Sequence, residues 1–392
     1  MDRLPGFRDF YPEPLPHRDV WSADVRNYIL DRWRSAARGY GFREYDGPPL
    51  EPLELYTTKS GEEILGQLYH FIDKGERAVA LRPEMTPTLA RMVGAHERNY
   101  RKPIKWFAVP QLFRYERQQK GRLREHFQFN ADLFGETDPA ADAELIALLI
   151  DSLRAFGLTA DDFVVRISSR RVWSEKLTTL GITDAANLTE IYQAIDKLGR
   201  ESADWVQDKL RAAKLNDAQI QEVLQTAAIK EDRPSAFPHV PYDVGQVLTR
   251  IPETLRPFCE ANFSIVRGLA YYTGIVFEAF DRKGKFRAIA GGGRYDNLVK
   301  LMTGGKVDLP GLGFGMGDVV LAELLADRGL LPRFDRHLEV FVLVADETLR
   351  SESLRLVHDL RDAGLAVDYS LTPSKPDKQL KRALELNAGC AV

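Results

Sequence analysis

Apolar residues recur three and four positions apart from about Arg18 to Tyr40. Trp21, Val25, Tyr28, Ile29, Trp33 and Ala37 share one face, so the spacing predicts an amphipathic helix. Gly39 and Gly41 suit its C-terminal cap. GFREYDGPPLEPLELY follows as a strand running into prolines. From Ala78 to Val93 an apolar run gives way to helical spacing, with Pro83 at the strand exit and Pro87 at the helix start. Two alternating runs, Val109 to Phe113 and Phe127 to Phe134, flank a charged loop like the arms of a hairpin.

The period turns helical from Arg166 to about Pro241, through IYQAIDKLG, DWVQDKLRAAKL and IQEVLQTAA, and strand-like signatures resume only after Phe263. Ile275 to Phe280 and Phe286 to Ala290 predict an antiparallel hairpin about Asp281-Arg282-Lys283-Gly284. Gly291, Gly292 and Gly293 then read either as a bend or as a place where a ligand meets bare backbone. LGFGMGDVVLAELL (312–325) is a glycine-rich strand followed by a helix. After Pro332 the chain reads strand, helix, strand, a βαβ unit, then a basic helix and a strand running to Val392.

Polar groups set among these strands mark the candidate chemistry. Arg267 needs an anion if it is buried, and the phenols of Tyr271 and Tyr272 need hydrogen-bond partners. FRYERQQKGRLREHFQFNAD (113–132) carries a dense run of arginines, which is either a solvated charge run or an anion clamp. Glu84 and Thr86 lie between a strand and a helix, where they either cap the helix or serve a site.

Composition narrows the field. The chain has 392 residues, 28% charged and 44% hydrophobic, which suits two or three domains around a sizeable core. Its net charge of −3 means that any nucleic acid must be met by a local basic patch. Cys259 and Cys390 lie far apart without His/Cys spacing, which argues against a disulfide framework or a structural zinc and fits a reducing cytoplasm. No membrane span is evident, and MDRLPGFRDFYPEP reads as the start of a mature protein rather than a targeting segment.

RGLAYYTGIVFE followed by AGGGRYD resembles the paired signatures of the histidyl-tRNA synthetase family, a class II aminoacyl-tRNA synthetase group whose first signature usually begins RGLDYY. PGFRDFYP at the N-terminus, the 41–56 region as motif 1, LRPEMT, and 113–132 as motif 2 are similar to further elements of that family. The resemblance implies an α+β fold, a class II catalytic domain of mainly antiparallel sheet flanked by helices. It assigns 1–165 and 255–332 to that domain, 166–254 to a helical insertion over the tRNA acceptor arm, and 333–392 to a partial anticodon-binding α/β domain. About half of that last domain is expected to be absent, as in a fragment or shortened chain. Motif 1 implies a homodimer.

The implied reaction is that of a cytoplasmic histidine–tRNA ligase. Histidine is activated by ATP to histidyl-adenylate and pyrophosphate, then passed to the 3′-terminal adenosine of tRNA(His). ATP comes with Mg²⁺, no tightly bound cofactor is implied, and no metal-ligand cluster can be assigned. Carried over by residue, Arg114 meets the α-phosphate, Glu116 the adenine amino group and Arg122 the terminal phosphates. Glu84, Thr86 and Gln128 receive the histidine amino group, while Asp132 and Tyr272, with Tyr271 beside them, hold the imidazole. Arg267 stabilises the α-phosphate in the transition state, and Gln118, Gln119 and Lys120 touch the tRNA acceptor end.

The chain departs from the family pattern in places. Val319 and Val320 replace the Glu-Arg pair that starts the motif 3 helix, leaving Asp318 as a cap or a magnesium-side carboxylate. His126 and Arg294 are then the candidates for holding adenine, although Arg294 could equally pair with a nearby carboxylate. Ala270 stands where RGLDYY has aspartate, so Arg267 has to be oriented by another group. Two other readings compete: a histidine-binding regulatory subunit of ATP phosphoribosyltransferase, and a tRNA-sensing pseudo-enzyme.

Overall fold

The computed structural model describes residues 2–12, 21–60, 62–115, 121–199, 201–231, 241–267, 271–334 and 338–392. The first helix, α1 (Ala23–Gly39), starts at Ala23 because Ser22 caps it, accepting the Val25 amide at 3.1 Å. Its buried face carries Val25, Ile29, Trp33 and Ala37, as the spacing predicts. Arg18, from which the helix was expected, lies outside the described residues.

Strand β1 (Arg43–Glu44) leads to β2 (Leu50–Pro52), helix α2 (Glu54–Ser60), β3 (His70–Ile72) and β4 (Ala78–Leu81), and β2, β3 and β4 make a small antiparallel sheet. Helix α3 (Thr86–His96) has Pro87 in its first turn, and its N-cap position is Met85, which makes no side-chain cap bond, rather than Glu84 or Thr86. The two arms of motif 2 are β6 (Gln111–Phe113) and β7 (Glu125–Phe134), preceded by β5 (Ile104–Ala108) and followed by α4 (Pro139–Arg154).

Arg166 was expected to open the helical region, but it lies in β8 (Phe163–Ser169), an apolar strand of the main sheet. The helices begin at Arg170: α5 (Arg170–Thr179), α6 (Ala185–Asp196), α7 (Ala203–Ala212) and α8 (Asp217–Ala227). Next come β9 (Lys230–Glu231) and α9 (Tyr242–Arg250). The sheet returns with β10 (Cys259–Asn262), before Phe263 rather than after it.

β11 (Ile275–Asp281) and β12 (Ala290–Arg294) form the predicted hairpin, but its second arm starts at Ala290 and not at Phe286. The glycine trio is therefore strand and not bend. Tertiary packing overrides the poor strand propensity of glycine: a methyl at Gly292 would lie 2.5 Å from Phe314 Cβ and would overlap the Gly313 carbonyl. Helix α10 (Leu298–Met302), β13 (Gly311–Gly317) and α11 (Asp318–Asp327) complete this part. The sheet order is β1-β5-β7-β13-β12-β11-β8-β10-β9, with β6 beside β7. Its pairs are antiparallel except β1 with β5 and β8 with β10.

Residues Pro332–Val392 form a separate compact unit. Strands β14 (Leu338–Val342), β15 (Val367–Tyr369) and β16 (Ala388–Ala391) pair in parallel as β15-β14-β16, linked by helices α12 (Arg350–Asp362) and α13 (Pro376–Glu385). Val340, Val342, Val357 and Val367 make its core.

Gly292→Ala should destabilise the chain by about 3 kcal/mol or more, because strand backbone rather than a movable side chain would have to give way. Urea denaturation measures this, and a loss below about 1 kcal/mol would mean that β12 and β13 can separate without cost.

Candidate active site

Side chains alternate between the two faces of a strand, so Gln128, Asn130 and Asp132 share one face of β7. Register carries that face across Gly317, Gly315 and Gly313 of β13, Gly293 and Gly291 of β12, and Val276 and Glu278 of β11. The glycines are needed there. A methyl at Gly315 would sit 2.9 Å from Gln128 Cδ, and one at Gly293 would sit 2.9 Å from Tyr272 Cδ1. At Gly313 it would overlap the Asp132 carboxylate, and at Gly291 the Arg267 guanidinium. Four of the residues predicted from sequence therefore converge over one glycine floor.

Arg267 has a left-handed backbone with φ of 53°, which non-glycine residues rarely adopt. Its Nη1 lies 2.5 Å from Glu278 Oε1, and its guanidinium carbon is 5.7 Å from the centre of the Tyr272 ring. Burial works against its charge, but Tyr272 and Glu278 outweigh that and raise its pKa. The Nε–H is buried without a hydrogen-bond partner among the described residues, which leaves a donor for a ligand. Glu278 is thus the orienting group that Ala270 does not supply; Ala270 itself lies outside the described residues. Glu278 is a site residue that the sequence does not single out, because its parity with Gly291 is visible only once the register is known.

Three phenols cluster between Arg267 and Asp132, with Tyr272 against the arginine and Tyr295 against the carboxyl. The Tyr271 ring lies 4.6 Å from Tyr272 and 5.9 Å from Tyr295, centre to centre, and the Tyr295 hydroxyl donates to Asp132 Oδ1. Tyr272 and Tyr295 are set in a buried cluster with Leu89, Val93 and Val276. Burial pushes the Asp132 carboxyl up to about 7, opposed only in part by the Tyr295 hydrogen bond. Burial also raises the phenols of Tyr271 and Tyr295 well above 10.0, so both remain neutral donors. The charge of Glu84 adds to the shift at Tyr271. Thr86 is half-buried in the first turn of α3. Tyr295, missed as a site residue, belongs to AGGGRYD and was legible only as part of that signature.

Motif 2 is tied to LRPEMT by Arg114, whose Nε donates to Pro83 O at 3.0 Å while its amide binds Arg124 O at 2.9 Å. His126 is driven down to about 3 by burial and by the charges of Arg114 and Arg8, so its imidazole is neutral. Arg122 is exposed at the foot of β7, and Glu116, Gln118, Gln119 and Lys120 lie outside the described residues.

Two expectations are corrected. Arg294 is on the opposite face of β12, because its register partner is Leu312 and not a floor glycine. There its guanidinium pairs with Asp142 at 2.5 Å and donates to Glu136 O at 2.8 Å, which commits it to structure rather than to adenine. Asp318 neither caps α11 nor is placed for magnesium. Its Oδ1 accepts the Phe127 amide at 3.0 Å and its Oδ2 lies 2.9 Å from Arg8 Nη1. Burial lifts Asp318 to about 6 against the pull of Arg8. Arg8, which sequence reasoning missed, also donates to Glu125 at 2.6 Å and covers the Trp21 ring at 4.3 Å. Among the described residues no group of three or more His, Cys, Asp and Glu could hold a metal ion, and no helix is long and apolar enough to cross a membrane.

Solved structures share this architecture. A histidyl-tRNA synthetase of Nostoc sp. PCC 7120 matches with a TM-score of 0.77 at 24% identity, over 98% of this chain and 89% of that one. An ATP phosphoribosyltransferase regulatory subunit/histidyl-tRNA synthetase from Bacillus halodurans matches with a TM-score of 0.75 at 20% identity, over 100% of this chain and 97% of that one. The fold is that of a class II aminoacyl-tRNA synthetase. At the level of sequence, the family model for histidyl-tRNA synthetase matches residues 15–317. A histidine–tRNA ligase of Opitutus terrae is 46% identical over 99% of this chain and 89% of its own length. A chloroplastic/mitochondrial histidine–tRNA ligase of Arabidopsis thaliana is 40% identical over 98% of this chain and 78% of its own. The chain belongs to the histidyl-tRNA synthetase family.

Arg294→Ala should cost about 3–5 kcal/mol in urea denaturation, since it strands Asp142 in the interior, while leaving the KM for ATP unchanged in whatever folds. A raised KM for ATP at full stability would return Arg294 to the nucleotide. Asp132 makes a second prediction. Its carboxyl moves from 3.8 to about 7 on folding, so between these values the native state holds a proton that the unfolded chain has lost. That contribution to stability is complete at low pH and disappears as pH rises through about 7. Asp132→Asn should therefore flatten the pH dependence of the urea midpoint across this range, and an unaltered slope would contradict the raised pKa.

Proposed function

We propose that this member of the histidyl-tRNA synthetase family activates histidine with ATP to histidyl-adenylate and then passes it to tRNA(His) over the glycine floor, with Arg267 serving both substrates. The reading rests on one juxtaposition: a partly buried, charged arginine with a spare donor and a buried carboxyl that accepts from one phenol stand over the same few glycines. Such a pocket suits a small zwitterion with a ring that both donates and accepts hydrogen bonds. Asp132 takes one imidazole nitrogen and Tyr272 the other, and an isostere lacking either group would leave a buried polar atom unpaired. Glu84, Thr86 and Gln128 receive the amino group.

In the first step a histidine carboxylate oxygen attacks the α-phosphorus, and the bond to the bridging oxygen breaks to release pyrophosphate. Negative charge builds on the α-phosphoryl oxygens, where Arg267 and Arg114 oppose it without reorganisation. Arg122 would neutralise the terminal phosphates, where the Mg²⁺ that accompanies ATP would supply further positive charge. The neutral His126 ring offers adenine a flat surface, with Glu116 at its amino group. In the second step a ribose hydroxyl of the terminal adenosine attacks the acyl carbon and AMP departs. Gln118, Gln119 and Lys120 meet the acceptor end. The chain acts as a homodimer through the 41–56 region, in the cytoplasm. A regulatory role in a phosphoribosyltransferase has only the shared fold in its favour.

Histidine-dependent ATP–pyrophosphate exchange is the test. Arg267→Ala should lower the rate per folded molecule by about 10³-fold, close to the loss on removing a preorganised transition-state donor, and should also lower the urea midpoint, because Glu278 is left buried without its partner. A rate within about tenfold of the parent would remove Arg267 from the α-phosphate. A parent chain inactive with histidine and ATP would favour the regulatory role.

A further inference from the structure

Arg170 opens helix α5 directly after β8 and binds both ends of the segment that carries Arg267, Tyr271 and Tyr272. Its amide donates to Gly274 O at 2.8 Å, and its Nη1 donates to Val266 O at 3.4 Å. The outer face of its guanidinium lies against helix α6, with the carbon 3.5 Å from the centre of the Tyr192 ring. Burial disfavours its charge and only Tyr192 offsets this; among the described residues no carboxylate pairs with it. A half-buried cation held by one ring and one carbonyl is an expensive way to fill space, since an aliphatic side chain would pack there without the desolvation. Arg170 therefore supplies what an aliphatic side chain lacks, a donor for Val266 and a flat cation for Tyr192.

The segment it holds has need of such a restraint. Arg267 follows Val266 immediately and keeps a left-handed backbone, a conformation that persists only where the surroundings over-determine it. Glu278 fixes the tip of the Arg267 side chain, but nothing in that contact fixes the backbone that launches it.

We propose that Arg170 is a positioning residue for Arg267, a rivet that joins helix α6 through Tyr192 to the two ends of the 266–274 segment. A displacement of α6 is then felt at Arg267, which couples the helical region to the chemistry. The proposal deepens the reading of Arg267 as the α-phosphate cation and rests on it.

The test uses the full chain, with Arg170→Lys as the principal variant because it keeps the charge and the aliphatic stem. Arg170→Ala, Tyr192→Ala, Arg170→Ala/Tyr192→Ala and Arg267→Ala accompany it. Pyrophosphate exchange gives kcat and the KM values, and amide hydrogen exchange reports on the 271–276 peptide. Arg170→Lys should lower kcat by about 10- to 100-fold, the scale of a small misplacement of a reacting group, with the KM for ATP within about threefold and the 271–276 amides exchanging about tenfold faster. Tyr192→Ala should lower kcat in the same sense and add little to Arg170→Ala, because the two act as one unit. The proposal is overturned if Arg170→Lys leaves kcat intact, if the two single losses add in full, or if the 271–276 amides are unaffected. If Arg267→Ala alone proves harmless, the α-phosphate reading falls, and the amide exchange in Arg170→Lys still decides whether Arg170 holds the segment.

Discussion

Absence of side chains at the centre of the sheet is the constraint on which the site depends. Gln128, Asp132, Arg267 and Tyr272 come from β7 and from the segment before β11, and they can approach one another only by lying across β12 and β13. Any Cβ on the odd-numbered glycines between Gly291 and Gly315 in those strands would meet one of them. Strand propensity is given up to gain this, since glycine weakens a strand by roughly 1 kcal/mol per residue. The loss is recovered from position: β12 and β13 are interior strands, paired on both sides, and their opposite face packs Phe314 and Met316 into the core. Sites of this kind need rigid elements, and two interior strands are as rigid as any part of the sheet.

Buried charge is handled differently on the two faces. On the far face Arg294 and Asp142 neutralise each other, with backbone carbonyls taking the remaining donors. A pair of that kind is expensive to break and neutral in function. On the floor face Arg267 has one carboxylate and an unfilled Nε–H, while Asp132 has one phenol and a pKa near 7. Incomplete satisfaction of this sort is what a binding site requires, because a fully satisfied network has nothing left to offer a substrate. The contrast separates Arg267 from Arg294, two arginines that look alike in sequence.

Much of this was legible in the sequence. Helix α1, the motif 2 hairpin, the β13–α11 junction and the C-terminal βαβ unit follow from apolar period and from glycine and proline placement. The second hairpin arm was misplaced because Phe286 to Ala290 looks more like a strand than AGGGR does, and only cross-strand packing reverses that order. Arg166 was read as helical because the apolar alternation of FVVRISS was taken together with the helices after it. Arg294 was offered for adenine although it lies one residue out of phase with the floor glycines, and parity needs the register to be known. Glu278 and Tyr295 lie inside signatures without standing out in them, because their roles depend on cross-strand register and on the approach of Arg267 and Asp132.

Arg8 shows a limit of motif reading. Val319 and Val320 stand where the family pattern has a Glu-Arg pair, and the motifs offer only His126 and Arg294 in place of the lost arginine. The structure brings a cation to that place from the other end of the chain. Arg8 bridges Glu125 on β7 and Asp318 on α11, and its charge is felt at His126. Held under Trp21 and between two acids, it acts first as a clamp that fixes the motif 2 strand against the motif 3 helix. It also explains why Asp318 can be almost wholly buried at a helix start without capping it. The loop that carries Arg8 thereby becomes part of the catalytic unit's architecture, and the helix-start acid that resembled a metal or cap residue is the anchor for that loop.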